Sequence, residues 1–425
     1  MADTINTQLE NQLEYNKVVP ELYYKLAPTS RDVLNRRTAT IAPSSGGASF
    51  KAGDNQIVRF KINEGFIDCN SVMVSCDYQQ TLVGFDGTNY LNPPNGVPCC
   101  LKEIRIMSGT GSRLETINEA GLLLSVLQRY SLSESNYNTT HTITGGGENK
   151  PLVCVDTTLQ STKRQMAQTA NTNERYSFHL PSGFLNSVSK YIDTGGMKGL
   201  VIELEFYNKN ITFMGIGTAT DAANNYTMSN FELNYDKLTL SGEYLQTYRM
   251  ALVSGIEVSY STYTHQSSTG GDSVRVSKAV SRLKDIISVI RTTANINNIA
   301  RDSLGNYKPI PETVRYNYQI GSENYPISQV KGASECYYQA LRTFARNKDA
   351  YCGNFNLDEF KAGLGVISYD LEEIKAGVFS GVKTTGTPDI LLLSTDLCDS
   401  NDTVDTFLHH ERVMILTNGS VQVLE

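Results

Sequence analysis

The five histidines are the side chains of this 425-residue chain best suited to proton transfer or metal binding. A hydrolase needs a nucleophile, a base and a residue that orients the base in one place. No H-E-x-x-H or G-x-S-x-G motif occurs in the sequence. His409 and His410 are adjacent, so in a strand they point to opposite faces and cannot bind one metal ion together. We place His179 in a strand and both His141 and His265 in polar loops, and we expect structural or surface roles for all five.

The eight cysteines indicate neither a zinc site nor a disulfide framework. None forms a C-x-x-C pair or another zinc-binding spacing. Most lie in apolar, strand-like runs, where a thiol packs as a small hydrophobic group, and a reducing compartment is the simplest setting. The residues are Cys69, Cys76, Cys99, Cys100, Cys154, Cys336, Cys352 and Cys398.

The sequence has only weak signals for nucleotide binding or sugar chemistry. Gly215-Ile-Gly217 follows a strand, but it lacks the third glycine and the helix of a dinucleotide-binding loop. Asp and Glu total 44, so a pair of glycosidase carboxylates stays open as an alternative. Trp is absent, although the 24 tyrosines could supply an aromatic platform for a sugar. We assign no catalytic, cofactor-binding or metal-binding residue, and we expect neither enzymatic activity nor a cofactor.

The charge balance argues against a protein that grips nucleic acid along its length. The net charge is −7, and a nucleic-acid-binding face would be basic. Arg31, Arg36 and Arg37 form the nearest basic group, which is read more simply as a solvated loop. We expect neither a signal peptide nor a membrane span, because the chain has no charged-then-apolar leader and no run of about 18 apolar residues. Charged residues are only 19% of the chain, which suits a surface that neighbouring molecules bury.

Short strands of alternating polarity predict an all-β fold built from sandwiches. In Leu200–Phe206 and in the segment 231–240, apolar side chains share one face and polar side chains the other. Two helices interrupt the strands, one over 118–130 with Asn118 as its N-cap and one over 334–344. The polar region 131–173 is expected to be a long loop.

The order of these elements predicts two domains. Strands, a helix and more strands occur twice, on either side of a candidate junction at 241–255. We therefore expect an N-terminal arm at 1–45, a first sandwich at 46–243 and a second sandwich at 244–425. Asn418-Gly419 lies between two apolar runs and predicts a hairpin near the end of the second sandwich.

Three stretches resemble the double jelly-roll major capsid proteins of polinton-like viruses and virophages. Arg175-Tyr-Ser-Phe-His-Leu-Pro-Ser-Gly-Phe-Leu185, continuing through a Tyr-Ile step to the strand ending at Phe206, is similar to the end of their first jelly roll. The segment 226–240 resembles the strand that leaves that roll, and 318–326 with the following helix resembles part of their second roll. The direct likeness covers about 175–345, and the rest agrees in size and β-pattern.

The resemblance implies two tandem eight-stranded jelly-roll sandwiches with short helices in the loops between strands. It further implies a homotrimer that forms pseudo-hexameric capsomers of an icosahedral double-stranded DNA virus. The expected partners are other copies of the chain, neighbouring capsomers and minor capsid or penton proteins, with the arm as the candidate contact to an internal membrane or the genome. The expected location is the virion capsid, assembled inside the host cell, without specific nucleic-acid recognition. A lectin-like or adhesin β-sandwich that binds a ligand is the alternative.

Overall fold

The computed structural model describes residues 33–424 apart from 46–48, 52–56, 64, 82–90, 93–95, 146–172, 188–190, 213, 216–224, 299–300, 345–354, 373–380, 385–390 and 418. The first half contains β1 Val33–Ile41, β2 Ser49–Lys51, β3 Ile57–Ile62, β4 Phe66–Thr81, β5 Leu91–Asn92, β6 Leu101–Ser108, β7 Arg113–Asn118, β8 Glu174–Phe178, β9 Ile192–Asp193, β10 Leu200–Phe206, β11 Met214–Gly215 and β12 Asn225–Leu240. The second half contains β13 Ile256–Thr269, β14 Ser273–Val276, β15 Leu283–Thr292, β16 Arg315–Ile320, β17 Glu323–Lys331, β18 Ile367–Asp370, β19 Leu391–Thr395, β20 Asp402–Thr417 and β21 Ser420–Leu424.

Helices lie between the strands and at their ends. They are α1 Ala120–Ser131, α2 Glu134–Thr144, α3 Gly183–Ser187, α4 Lys209–Thr212, α5 Gly242–Ser254, α6 Ala333–Phe344 and α7 Leu357–Glu359. Short 3-10 turns cover Val97–Cys100 and Thr293–Asn295, and a π-helical turn covers Phe360–Leu364.

Each half is a sandwich of two antiparallel sheets whose main paths have four strands each. The order is β1-β12-β4-β8 and β3-β10-β6-β7 in the first half, and β13-β20-β15-β18 and β14-β19-β16-β17 in the second. The predicted pair of eight-stranded sandwiches is therefore confirmed. The inward faces of all four sheets contribute to one continuous hydrophobic cluster that runs through both halves.

The strongest alternating strands form as the sequence predicts. In β10, Leu200, Ile202 and Leu204 are fully buried, whereas Glu203 and Glu205 pair across strands with charged neighbours. The hairpin also forms, because Thr417 of β20 pairs with Ser420 of β21.

The expected N-cap at Asn118 is wrong by one residue, because the N-cap is Glu119. Asn118 still pairs with Glu103 as the last residue of β7, and α1 starts at Ala120. Glu119 between them has a φ of 54°, a left-handed conformation that turns the chain sharply from strand into helix. Pairing of Asn118 within the sheet therefore outweighs the tendency of asparagine to cap a helix.

The polar region 131–173 is not simply a loop, because α2 occupies 134–144 within it. The hydroxyls of Thr139 and Thr144 bond to the backbone carbonyls four residues earlier, which satisfies these polar side chains inside the helix. Tyr137 is buried and anchors the helix. Residues 146–172 lie outside the described part of the chain.

Strand β1 falls within the segment expected to be an arm and pairs instead with the second half of β12, from Val33–Leu240 to Ile41–Leu233. Arg36 reaches Asp68 and Asp236 at 2.8 Å and 2.7 Å. An edge strand that exposes most of its side chains has no apolar alternation, so its polar sequence resembles that of an arm.

Candidate functional site

The five histidines lie in or beside several different helices and strands and do not form one cluster. His141 lies in α2, and His179 follows β8 and contacts the Val72 carbonyl oxygen through Nδ1 at 2.9 Å. The expectation of a loop is wrong for both His141, because it lies in α2, and His265, because it lies in β13. His409 and His410 contact different strands: Nδ1 of His409 lies 2.6 Å from an Asp285 oxygen in β15, and Nε2 of His410 lies 2.9 Å from the Thr264 hydroxyl in β13. Their predicted divergence is confirmed.

His265 belongs to a chain of ionisable side chains, most of them buried, that starts in the second half and ends in the first. Its Nε2 lies 3.0 Å from Asp405, which also accepts two hydrogen bonds from Arg291 at 2.6 Å and 3.1 Å. Arg291 lies 3.7 Å from Glu119, which accepts a hydrogen bond from Tyr207. Burial opposes ionisation of Asp405, but the Arg291 charge and the His265 contact lower its pKa to about 2. This carboxylate is held charged by its partners, as in a structural ion network.

A second buried carboxylate joins the two sandwiches directly. Glu115 of β7 is fully buried and accepts hydrogen bonds from the Thr262 hydroxyl at 2.7 Å and the Gly183 amide at 3.0 Å. The Ser182 hydroxyl and the Phe184 amide also donate to it. Burial raises the pKa of Glu115, and these hydrogen bonds oppose that rise. Because Thr262 lies in β13, one side chain connects a strand and a turn of the first sandwich with the edge strand of the second.

Further contacts extend this junction. The Tyr260 hydroxyl donates to the Leu114 carbonyl at 2.5 Å, and the Gly183 backbone lies so close to Ser261 that an added Cβ would sit 1.7 Å from its carbonyl oxygen. On the α1 side, the Ser125 hydroxyl donates to the Leu304 carbonyl at 2.9 Å and the Tyr130 hydroxyl to the Leu364 carbonyl at 2.9 Å. The junction is therefore packed and rich in directional hydrogen bonds.

The cysteines carry no reactive chemistry in the described residues. Cys69, Cys76, Cys99, Cys100, Cys336 and Cys398 are free and buried. Burial raises the pKa of Cys69, Cys76 and Cys336 to about 12, so these thiols stay protonated at neutral pH. Cys154 and Cys352 lie outside the described residues.

Cofactor and metal chemistry find little support among the described residues. These residues contain no group of three or more His, Cys, Asp or Glu side chains that could hold a metal ion. Gly215 ends the short strand β11, and Gly217 lies outside the described chain. None of the helices in the described part of the chain has the length and apolar character needed to cross a membrane.

The outer face of the β3-β10-β6-β7 sheet carries a ladder of charges. Arg105 contacts Glu103 at 2.6 Å, Glu205 at 3.1 Å and Glu203 at 3.6 Å, and Arg59 pairs with the same Glu203. A shallow depression of about 400 Å³ beside this ladder is lined by Ser44, Arg59, Lys61, Met107, Ser108, Gly109, Gly111 and Val201. Its lining has no carboxylate and no aromatic ring, so it offers neither a glycosidase pair nor a sugar platform.

Two jelly-roll sandwiches in tandem form a double jelly roll. Solved structures similar to this chain have the same fold. The chain is similar to the Faustovirus major capsid protein, with a TM-score of 0.66 and 10% identity over 96% of this chain and 94% of that one. It is also similar to the PBCV-1 virus capsid chain, with a TM-score of 0.62 and 12% identity over 95% and 99% of the two chains. A chain of the Sputnik virophage gives a TM-score of 0.61 and 10% identity over 96% and 92%. No family model matches the sequence, and no curated protein matches it.

Proposed function

We propose that this chain is the major capsid protein of an icosahedral double-stranded DNA virus and is located in the virion shell. The observation that supports this most strongly is that both sandwiches and their connection align together with capsid chains, over 95% of this chain and 99% of the PBCV-1 chain. A ligand-binding module of one sandwich would not require that pairing. The resemblance noted in residues 175–345 points to the same class of protein.

The proposed assembly is a homotrimer that forms a pseudo-hexameric capsomer, with 46–243 and 244–425 as its two jelly rolls. Two similar sandwiches in each of three chains present six similar units around one axis. The junction contacts described above favour such a unit, because they hold the two sandwiches in one orientation. Neighbouring capsomers, minor capsid or penton proteins and a contact between the arm and a membrane or genome belong to the same proposal.

The proposed role is structural and not enzymatic. The buried histidines and carboxylates described above contact one another, neighbouring hydroxyl groups or the backbone, and Glu115 and Asp405 serve the packing of the sandwiches. The lectin-like alternative would be favoured by an aromatic platform for a sugar, and the lining of the depression near Arg59 contains no aromatic ring.

Light scattering with negative-stain imaging of the same chromatographic peak tests the proposal. Three copies of the 46.9 kDa chain weigh about 141 kDa, and a stable particle of that mass with a hexagonal outline is expected. A monomer at every concentration, combined with binding to a glycan array, would replace the capsid proposal with the ligand-binding alternative.

A further inference from the structure

The two halves of the chain repeat one another strand for strand. Their sheets have the same strand order, so β7 of the first half corresponds to β17 of the second, and β1 corresponds to β13. A 12-residue helix follows each strand of the first pair, α1 after β7 and α6 after β17. The residue directly before each helix is left-handed, with a φ of 54° at Glu119 and 83° at Gly332. Glu119 and Gly332 therefore correspond, and they fix the correspondence of the positions around them.

Positions that face the core of each sandwich agree under this correspondence. Ile117 pairs with Ile104 of β6, and Val330 pairs with Tyr316 of β16, so the strands also have matching neighbours. Both β7 and β17 have an irregular register just before these residues. Three pairs of corresponding residues are buried, namely Ile117 with Val330, Ala120 with Ala333 and Leu123 with Cys336.

The first half uses other positions of the same elements to hold the second sandwich. Glu115 of β7 bonds to the Thr262 hydroxyl. On α1, Ser125 and Arg129 donate to backbone carbonyls of the second sandwich at 2.9 Å and 2.5 Å. All three side chains of the first half are buried by this contact.

The corresponding positions of the second half lie on an exposed surface. Ser328, Tyr338 and Arg342 take the places of these three residues; Ser328 and Arg342 are exposed, and Tyr338 is 49% exposed. Ile327 is 94% exposed, although its counterpart Leu114 is fully buried. Tyr338 and Arg342 are four residues apart and are therefore neighbours on the helix. We call Ile327, Ser328, Tyr338 and Arg342 the β17–α6 face.

The correspondence also identifies the surface that would cover this face. Within the chain, the edge strand β13 contributes Tyr260 and Thr262 to the junction. Strand β1 has the same place beside β12 that β13 has beside β20. Both β12 and β20 have 16 residues, and aligning them puts Thr40 of β1 at the position of Ser261, between the two junction residues. Because Ile327 is exposed, β1 of the same chain does not cover it, and a second copy must supply the strand.

We propose that the β17–α6 face of one chain docks against β1 of a second copy, as β7 and α1 dock against β13 within one chain. The contact joins two different surfaces, so it is head-to-tail and can close into a ring. Contacts within and between chains then alternate around that ring and have the same construction. This inference rests on the proposed capsomer and adds which surfaces form it.

Cysteine cross-linking of the full-length chain tests the contact. Ser328→Cys and Thr40→Cys place one thiol on each surface, whereas the native cysteines in the described part of the chain are buried. A short bismaleimide should join the double variant into covalent oligomers that end at the trimer. Each single variant should stay uncross-linked, because the two surfaces differ. The parent chain, treated identically, controls for the native thiols.

The strength of association provides a second measurement. Ile327→Ser should raise the protein concentration at half-assembly by about tenfold or more, because burial of an isoleucine side chain is lost from the contact. Light scattering over a dilution series measures this concentration. Met250→Ser removes another exposed apolar side chain, on α5, and is the matched control that should leave the concentration unchanged. Urea unfolding of both variants verifies that each is folded.

The possible failures are distinguishable. Cross-linking of Ser328→Cys to itself would show a symmetrical contact and would overturn the head-to-tail proposal. A stable trimer that shows neither the cross-link nor a response to Ile327→Ser would place the interface elsewhere, and the capsid proposal would stand without this contact. A monomer at every concentration would instead refute the capsomer, and this contact with it.

Discussion

Removing the Glu115 carboxylate should loosen the connection between the two sandwiches more than any single surface change. Glu115→Leu introduces an apolar side chain of similar size. It leaves four donors without their acceptor, namely the hydroxyls of Thr262 and Ser182 and the amides of Gly183 and Phe184. Each buried donor left unpaired costs about 1–3 kcal/mol, and local relaxation recovers part of that. The raised pKa of Glu115 means that burying its charge also costs free energy, which the substitution removes. The net loss expected is about 3–5 kcal/mol, because local relaxation and the removed cost of burying a charge offset part of the loss at the four unpaired donors.

A double-mutant cycle tests the assignment of this loss to the junction. Thr262→Val removes one donor and should cost about 1 kcal/mol. Glu115→Gln retains one oxygen, but its amide nitrogen must face one of the four donors, so about 1–3 kcal/mol is expected. Because the side chains of Glu115 and Thr262 bond directly, the double variant Glu115→Leu, Thr262→Val should lose less unfolding free energy than the sum of the two single variants, by at least about 0.5 kcal/mol.

The free energy of unfolding is measured by urea denaturation at one fixed protein concentration, with the midpoint and the slope both recorded. Glu205→Gln, on the outer charge ladder, is the matched control and should cost under about 1 kcal/mol. The reasoning fails if Glu115→Leu is within about 1 kcal/mol of the parent, or if the cycle with Thr262→Val is additive.

The remaining predictions concern pH, close packing and thiol access. Burial lowers the pKa of His410 to about 3, so the folded chain resists a proton that the unfolded chain binds below about 6.5. Unfolding free energy should therefore fall as pH decreases from 6.5 toward 3, by up to about 1.4 kcal/mol per pH unit, and urea titrations should show a shallower slope for His410→Gln. Gly183→Ala would place its Cβ 1.7 Å from the Ser261 carbonyl oxygen and should yield little soluble protein, whereas Gly242→Ala meets no atom within 4 Å and should change stability by under about 0.5 kcal/mol. A thiol reagent at neutral pH should leave the six buried cysteines unmodified until urea unfolds the chain, and mass spectrometry of labelled peptides would contradict this by finding any of them modified in the native protein.

Half-buried strands were the part of the fold that sequence reasoning located best. In β10 and β12 one face packs in the core and the other meets solvent or charges, so polarity alternates along the chain. Strand β20 is indicated in the sequence only by the apolar run that precedes Asn418, although the strand begins at Asp402. Its first part is buried on both faces and contains Asp405, His409 and His410, so neither alternation nor an apolar run marks it.

The exposed edge strands were not located from the sequence because they bury too few of their side chains. Strand β1 and strand β17 place most of their side chains in solvent, and their polar sequences therefore resemble loops. Their pairing depends on backbone hydrogen bonds to β12 and β16, which composition does not encode. The buried carboxylate Glu115 was likewise missed, because its partners Ser182 and Thr262 lie 67 and 147 residues away in the chain. The one local signal was the Pro181-Ser-Gly183 turn, since a serine before a helix favours capping.

The chemistry of the junction bears on why two sandwiches of this kind act as one unit. Apolar contacts are not directional, so two sandwiches joined only by a hydrophobic surface could adopt several neighbouring orientations at similar free energy. The hydrogen bonds from Thr262 and Gly183 to Glu115, and from Tyr260 to the Leu114 carbonyl, are satisfied in one register of β13 against β7. Any sliding leaves a buried carboxylate short of donors, which costs more than the displaced apolar area alone. The capsid role proposed above would need a fixed angle between the two halves of a building block repeated over a closed shell, and a buried polar junction restricts that angle more than an apolar one does.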